Sequence, residues 1–172
     1  MNATASQTIG PFWHLLDFSG WHDLTRFGAA GERFELTGRI TDGAGAPVTD
    51  ASVEIWQASP AASDQFQGFG RAPTNAEGVF RFVTVKPGAL PGRGNTQQAP
   101  HVAITIFARG LMKALTTRLY FAGEALNETD PVLNLIDDPA RRAGLIAQPD
   151  GAGAWRLDIK LQGSGETVFF DV

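Results

Sequence analysis

The stretch Ala99-Pro-His101-Val102-Ala103-Ile104-Thr105-Ile106-Phe107 decides how this chain folds. Val102, Ile104 and Ile106 recur at every second position, the period of a strand with one face in a core. The other face carries His101 and Ala103. Side chains two apart on a strand point the same way, so a His-x-His pair here would aim two imidazoles at one metal ion. Ala103 holds the second place and binds nothing. Whether the chain is an enzyme or an enzyme's partner turns on that position.

Working outward, the same period recurs. Phe34-Glu-Leu36-Thr-Gly-Arg-Ile40 alternates apolar and polar residues. Ala51-Ser-Val53-Glu-Ile55-Trp56, Val79-Phe80-Arg-Phe82-Val83-Thr-Val85 and Leu115-Thr-Thr-Arg118-Leu-Tyr120-Phe121 read as further strands. Trp155-Arg-Leu157-Asp-Ile159-Lys-Leu161 is the cleanest alternation, and Thr167-Val-Phe169-Phe170 is expected to close the sheet. Turn chemistry punctuates them: Asp42-Gly-Ala-Gly-Ala-Pro47, Asn75-Ala-Glu-Gly78 and Lys86-Pro87-Gly88. Gly88 to Pro100 reads as a long loop of the kind that often carries function. Asp138-Pro139-Ala-Arg-Arg-Ala reads as the one short helix, with Asp138 as N-cap and Pro139 at N1. The expected fold is all-β, a mixed β-sandwich of two sheets with long loops and one short helix. The expected organisation is one domain over 1–172, with 1–13 as an N-terminal arm.

Size and composition fit that reading. The 172 residues are 43% hydrophobic and 19% charged, with 20 Gly and 10 Pro spread along the chain. That length suits one domain with a sizeable core. A formal charge of -4 and a pI near 5.3, with no Lys/Arg run, argue against nucleic acid or anionic lipid as partners. The absence of cysteine excludes disulfides, thiolate metal sites and a cysteine nucleophile. The first residues show no signal-peptide pattern, and no segment approaches the roughly 20 apolar residues of a membrane span. The expectation is a soluble cytoplasmic protein.

The common catalytic motifs are missing from the chain or incomplete in it. The chain has no Gly-x-Ser-x-Gly elbow, and its glycines do not open a helix as a phosphate loop. Asp137 and Asp138 are better explained by helix capping than by acid–base work. A metal site has His14, His22 and His101 and a single tyrosine, Tyr120, to draw on. Ferric iron favours phenolate and imidazole donors, and one Tyr with one strand His does not close such a site. A hydrogen-bonded structural histidine is the favoured reading of His101. Arg118, within an otherwise apolar strand, is read as facing solvent or pairing with an acid, or as a bidentate grip on a carboxylate. Arg71 leans towards structural pairing.

Several segments point further: Thr8-Ile-Gly-Pro-Phe12, Val53-Glu-Ile-Trp-Gln-Ala58, Phe69-Gly-Arg71, Thr84-Val-Lys-Pro-Gly88, Ala99-Pro-His101, Leu115–Phe121, Pro131-Val-Leu-Asn-Leu-Ile136 and Gln162-Gly-Ser-Gly-Glu-Thr-Val-Phe-Phe-Asp171. Together they resemble the intradiol ring-cleaving dioxygenases over nearly the whole chain. Within that family they resemble the alpha-type subunits that work beside a homologous beta subunit. The resemblance implies that the beta chain binds Fe(III) through two Tyr and two His. Carried over, those places fall on His101, on Ala103, on Leu90 and near Asp64. This chain is therefore expected to hold no metal and no catalytic residue of its own. Its alpha-type role would be to wall the substrate pocket of an alpha–beta hetero-oligomer through Thr8, Gly10, Pro11 and Phe12. Arg118, or with less support Arg109, would also reach that pocket. Gly10 would permit close backbone approach and Pro11 would stiffen the arm. The implied reaction is cleavage of protocatechuate by O2 to 3-carboxy-cis,cis-muconate. The alternative is a transthyretin-like binding or scaffold module with no catalytic partner. A self-sufficient ring-cleaving enzyme is opposed by the single tyrosine.

Overall fold

A computed structural model describes residues 19–171, and among these residues there are eleven strands, the longer of which carry apolar residues at alternate positions. In chain order they are β1 (Arg33–Thr41), β2 (Ser52–Trp56), β3 (Phe69–Pro73), β4 (Val79–Val85), β5 (Leu90–Pro91), β6 (Gln97–Gln98), β7 (His101–Phe107), β8 (Leu115–Phe121), β9 (Ile146–Pro149), β10 (Ala154–Arg156) and β11 (Ile159–Lys160). One α-helix, α1 (Pro139–Ala143), precedes β9, and 3₁₀ turns lie at Ala125–Glu128 and Leu133–Leu135.

The strands form two layers. One has the order β3-β2-β7-β8; the other holds β4 and β1, with β10 and β11 along the opposite edge of β1 from β4. β9 pairs with β8 on one side and β10 on the other, so it joins the layers into one sheet. β3 and β4 touch across the remaining seam. The β1–β10, β1–β11 and β8–β9 pairs are parallel and the others antiparallel, which makes the sandwich mixed.

The core lies between the layers. Leu36 and Ile40 of β1, Phe80 and Phe82 of β4, Val53 and Ile55 of β2, Val102, Ile104 and Ile106 of β7, and Leu119 and Phe121 of β8 are all buried. Each fully buried side chain of this size contributes about 1.5–3 kcal/mol of transfer free energy. Turn residues act as read. Asp42 Oδ1 accepts from the amides of Ala44 and Ala46 at 2.9 and 2.8 Å. Asn75 Oδ1 does the same for Glu77 and Val79, and Gly78 supplies the φ of +73° the turn needs. Asp138 caps α1, accepting from the Ala140 amide at 2.8 Å, with Pro139 in the first turn.

The structure departs from the sequence reading in several places. The strand expected over Trp155–Leu161 is broken at Leu157 and Asp158. There the Leu157 amide donates to Thr37 O while Asp158 Oδ1 accepts from the Arg39 amide, so a side chain replaces one rung of the ladder. Thr167–Phe170 makes only a single bridge, Phe170 to Thr116, and the Thr117 hydroxyl donates to the Val168 carbonyl. The long Gly88–Pro100 loop contains its own two-stranded ribbon, β5–β6. β3 and β9 were not read as strands at all. Both are short and too glycine- or proline-rich to show the period.

A second, smaller cluster sits on the outer face of β8. Tyr120, Ala99, Leu133 and Leu145 are buried there, covered by the excursion between β8 and β9. This cluster builds the surroundings of His101.

Candidate functional site

Antiparallel pairing of β7 with β8 sets His101 opposite Tyr120 and Ala103 opposite Arg118. These four side chains therefore share the face of the sheet turned away from the main core. Trp56 of β2 lies opposite Ala103 on the other side and is half exposed. The ribbon β5–β6 stands beside them, with Leu90 opposite Gln98.

Each polar group here has an assigned partner. His101 Nδ1–H donates to the Ala99 carbonyl at 2.7 Å, which leaves Nε2 with the lone pair. Metal-bound histidines are commonly oriented this way. Burial holds the imidazole below its ordinary value, and the Arg118 guanidinium adds to that against the Ala99 bond and Asp130. Tyr120 is fully buried, and its hydroxyl donates to Asp130 Oδ1 at 3.1 Å. Burial, aided by Asp130, pushes the phenol well above its usual range despite Arg118. Arg118 is half-buried and donates through Nη1 to Gln98 Oε1 at 2.8 Å.

Asp130 organises the neighbourhood, and sequence reasoning missed it. It is completely buried. Its Oδ2 accepts from the Ala99 amide at 2.7 Å, just ahead of His101. Its Oδ1 accepts from Val132 N at 2.9 Å and Leu133 N at 2.7 Å as well as from Tyr120. The signal was present: Asp followed by Pro before a helical turn is a capping pattern. Gln98 had no such signal.

These residues do not fit a ferric centre. At the places that would supply ligands stand His101, the Ala103 methyl and the Leu90 alkyl chain, while Asp64 is exposed in a loop. The one tyrosine is buried and hydrogen-bonded to Asp130 and Arg118. Among the described residues, no three His, Cys, Asp or Glu side chains gather as a metal site would need.

The two arginines weighed for an outside role differ in reach. Arg109 follows the end of β7, is 70% exposed and holds Asp50 at 3.0 Å. Arg118 instead faces a cavity of this chain. Arg71 pairs with Glu54 across β2 and β3, as the sequence suggested. Thr8, Gly10, Pro11, Phe12 and His14 lie outside the described residues; His22 is exposed.

Protonation at His101 carries a stability consequence. The unfolded imidazole takes a proton near pH 6.5, while the folded one resists. Stability is then complete above about pH 6.5 and falls as the pH drops towards the folded value, by at most about 1.4 kcal/mol per pH unit for one proton. His101→Gln is expected to flatten that slope in denaturation curves measured between neutral and mildly acidic pH. Parallel slopes for the two proteins would refute it.

Comparison with known proteins follows the same lines. Residues 19–163 match the family described as Dioxygenase. The chain is 42% identical to the protocatechuate 3,4-dioxygenase alpha chain of Pseudomonas putida, over 98% of this chain and 96% of that one. It is 35% identical to the protocatechuate 3,4-dioxygenase beta chain of Burkholderia cepacia, over 85% of this chain and 73% of that one. Among solved structures, the dioxygenase domain of a carbohydrate-binding fusion protein from Streptomyces sp. SirexAA-E superposes with a TM-score of 0.66 at 28% identity. That match covers 97% of this chain and all of the other.

Proposed function

This chain belongs to the intradiol ring-cleaving dioxygenase family, and we propose that it is the non-iron-binding, alpha-type subunit of a protocatechuate 3,4-dioxygenase. One observation carries the reading: a chain whose relative over nearly full length is named an alpha chain has Ala103 and Leu90 where ligands would stand. The Fe(III) of the reaction then belongs to a homologous beta subunit, which would be a relative of the beta chain that this sequence also resembles.

This chain's own part is positioning and exclusion. Thr8, Gly10, Pro11 and Phe12 would wall the partner's substrate pocket. A backbone without a side chain at Gly10 lets the wall approach a flat ring closely, and the aromatic Phe12 keeps water out. Holding the ring in place lowers the barrier by removing its freedom to reorient. Arg109, exposed at the end of β7, has the freer reach towards a partner; Arg118 is engaged within its own chain. The product would be 3-carboxy-cis,cis-muconate, with both atoms of O2 in the opened ring. Localisation in the cytoplasm accords with a cysteine-free chain; among the described residues no helix is long and apolar enough to cross a membrane.

Co-expression with a beta-type chain tests this. Iron is expected on the beta chain and in the complex, with turnover of protocatechuate only in the complex. Gly10→Trp is expected to lower kcat/KM at least about tenfold while the complex keeps its iron. Arg109→Gln is expected to cost more activity than Arg118→Gln. Stoichiometric iron on this chain alone would reject the proposal. Unchanged kinetics for Gly10→Trp would favour the scaffold alternative.

A further inference from the structure

Beside the remnant ligand positions lies a cavity of about 470 Å³. Arg118, Gln98 and Arg93 supply its polar lining. Pro131, Val132 and Leu135 of the excursion after β8 supply its apolar lining. Leu135 is 75% exposed, which is unusual for a large aliphatic side chain with nothing on it.

The charges in this cavity are unbalanced. Among the described residues, neither Arg118 nor Arg93 has a carboxylate within ion-pair distance, and although Arg26, Arg39, Arg142 and Lys160 also lack one, this cavity has no carboxylate in its lining. Arg118 Nη1 donates to Gln98 Oε1 and the guanidinium also hydrogen-bonds the Tyr120 hydroxyl, so it is held in place by two neutral groups with donors left to give. The nearby Asp130 does not supply the missing charge partner, because its oxygens are occupied by Tyr120 and three backbone amides. A guanidinium held by neutral partners in a cavity that is otherwise largely apolar matches a planar carboxylate on a ring-sized body.

We propose that this cavity is a non-catalytic binding site of the chain itself for a small aryl carboxylic acid. Arg118 is the anchor, Pro131, Val132 and Leu135 cover the ring, and Arg93 adds attraction at the rim. The inference does not depend on the proposed subunit role.

Titration of the purified full-length chain, without a partner, tests it. Benzoate is expected to bind saturably. Benzamide, which lacks the charge, and acetate, which lacks the ring, are expected to bind at least tenfold more weakly. Arg118→Gln is expected to weaken benzoate at least tenfold, and Arg93→Gln two- to threefold. Leu135→Asp changes an exposed position and sets a like charge at the rim, so it should weaken benzoate without disturbing the fold. It keeps the test sharp if Arg118→Gln proves unstable. No saturable benzoate binding, equal binding of benzamide or acetate, or unchanged affinity in Leu135→Asp would each overturn the proposal. So would loss of benzoate binding on assembly with a beta-type chain together with weaker assembly of Arg118→Gln. That outcome would assign the anchor to a carboxylate of the partner.

Discussion

Asp130→Ala is expected to destabilise the chain by about 3–5 kcal/mol, a large part of the roughly 5–15 kcal/mol that holds a domain folded. The carboxylate is fully buried and accepts four hydrogen bonds. Alanine would leave the Ala99, Val132 and Leu133 amides and the Tyr120 hydroxyl without acceptors in a site closed to water. Unmade bonds of this kind cost more than made ones contribute. The loss is not confined to one place. Ala99 leads into β7, Tyr120 stands in β8, and Val132 and Leu133 begin a 3₁₀ turn on the cavity wall. Asp130→Asn should be milder, because three of the four donors can still face an oxygen. Its amide nitrogen would then confront the Ala99 amide, donor against donor. Denaturant midpoints for the three proteins check the order, with an unchanged denaturant slope showing that stability alone has moved. An Asp130→Ala protein within 1 kcal/mol of the parent would mean that water or a relaxed turn satisfies those donors.

Gly38→Ala is expected to cost about 3 kcal/mol, although it adds a single methyl. Gly38 is buried in the middle of β1, opposite Phe80. A Cβ there would lie 2.0 Å from the Leu157 carbonyl oxygen and 2.5 Å from the Phe80 ring. Neither neighbour can yield easily. The ring is fully buried, and the carbonyl belongs to the backbone segment that crosses between β10 and β11. Relief requires β1 to move away from its parallel partners, which would loosen the Leu157–Thr37 and Arg39–Asp158 bonds. Gly45 offers the control in stability measurements. It sits in an exposed turn with open space around it, but its φ of +86° charges only the modest strain of a left-handed residue. If Gly38→Ala is no worse than Gly45→Ala, the close packing at Leu157 is not rigid.

The two positions show where sequence reading reached and where it stopped. Glycine in β1 read only as one more member of an alternating strand. Its reason lies in Leu157, over a hundred positions further on, and in the broken ladder there. The same break explains why Trp155–Leu161 looked like one strand: its period is intact, but Gly38 lets a carbonyl press in and Asp158 substitutes its side chain for a rung. Asp130 carried only the local signal of an Asp-Pro turn, which the sequence reading passed over. That it ties β7, β8 and the cavity wall together depends on an amide 31 positions away.

By itself the sequence determined the strand period, the turns at Asp42 and Asn75, the cap at Asp138 and the absence of a second ligand at Ala103. All of these are local, set by residue type and spacing within a few positions. The tertiary structure alone decided that β9 joins the two layers, that Arg118 turns to Gln98 and a cavity while Arg109 holds Asp50, and that Gly38 admits no side chain. Those outcomes rest on hydrogen bonds and steric contacts between segments far apart in the chain. Such contacts exist only once the sheet has closed, and they leave no period in the sequence.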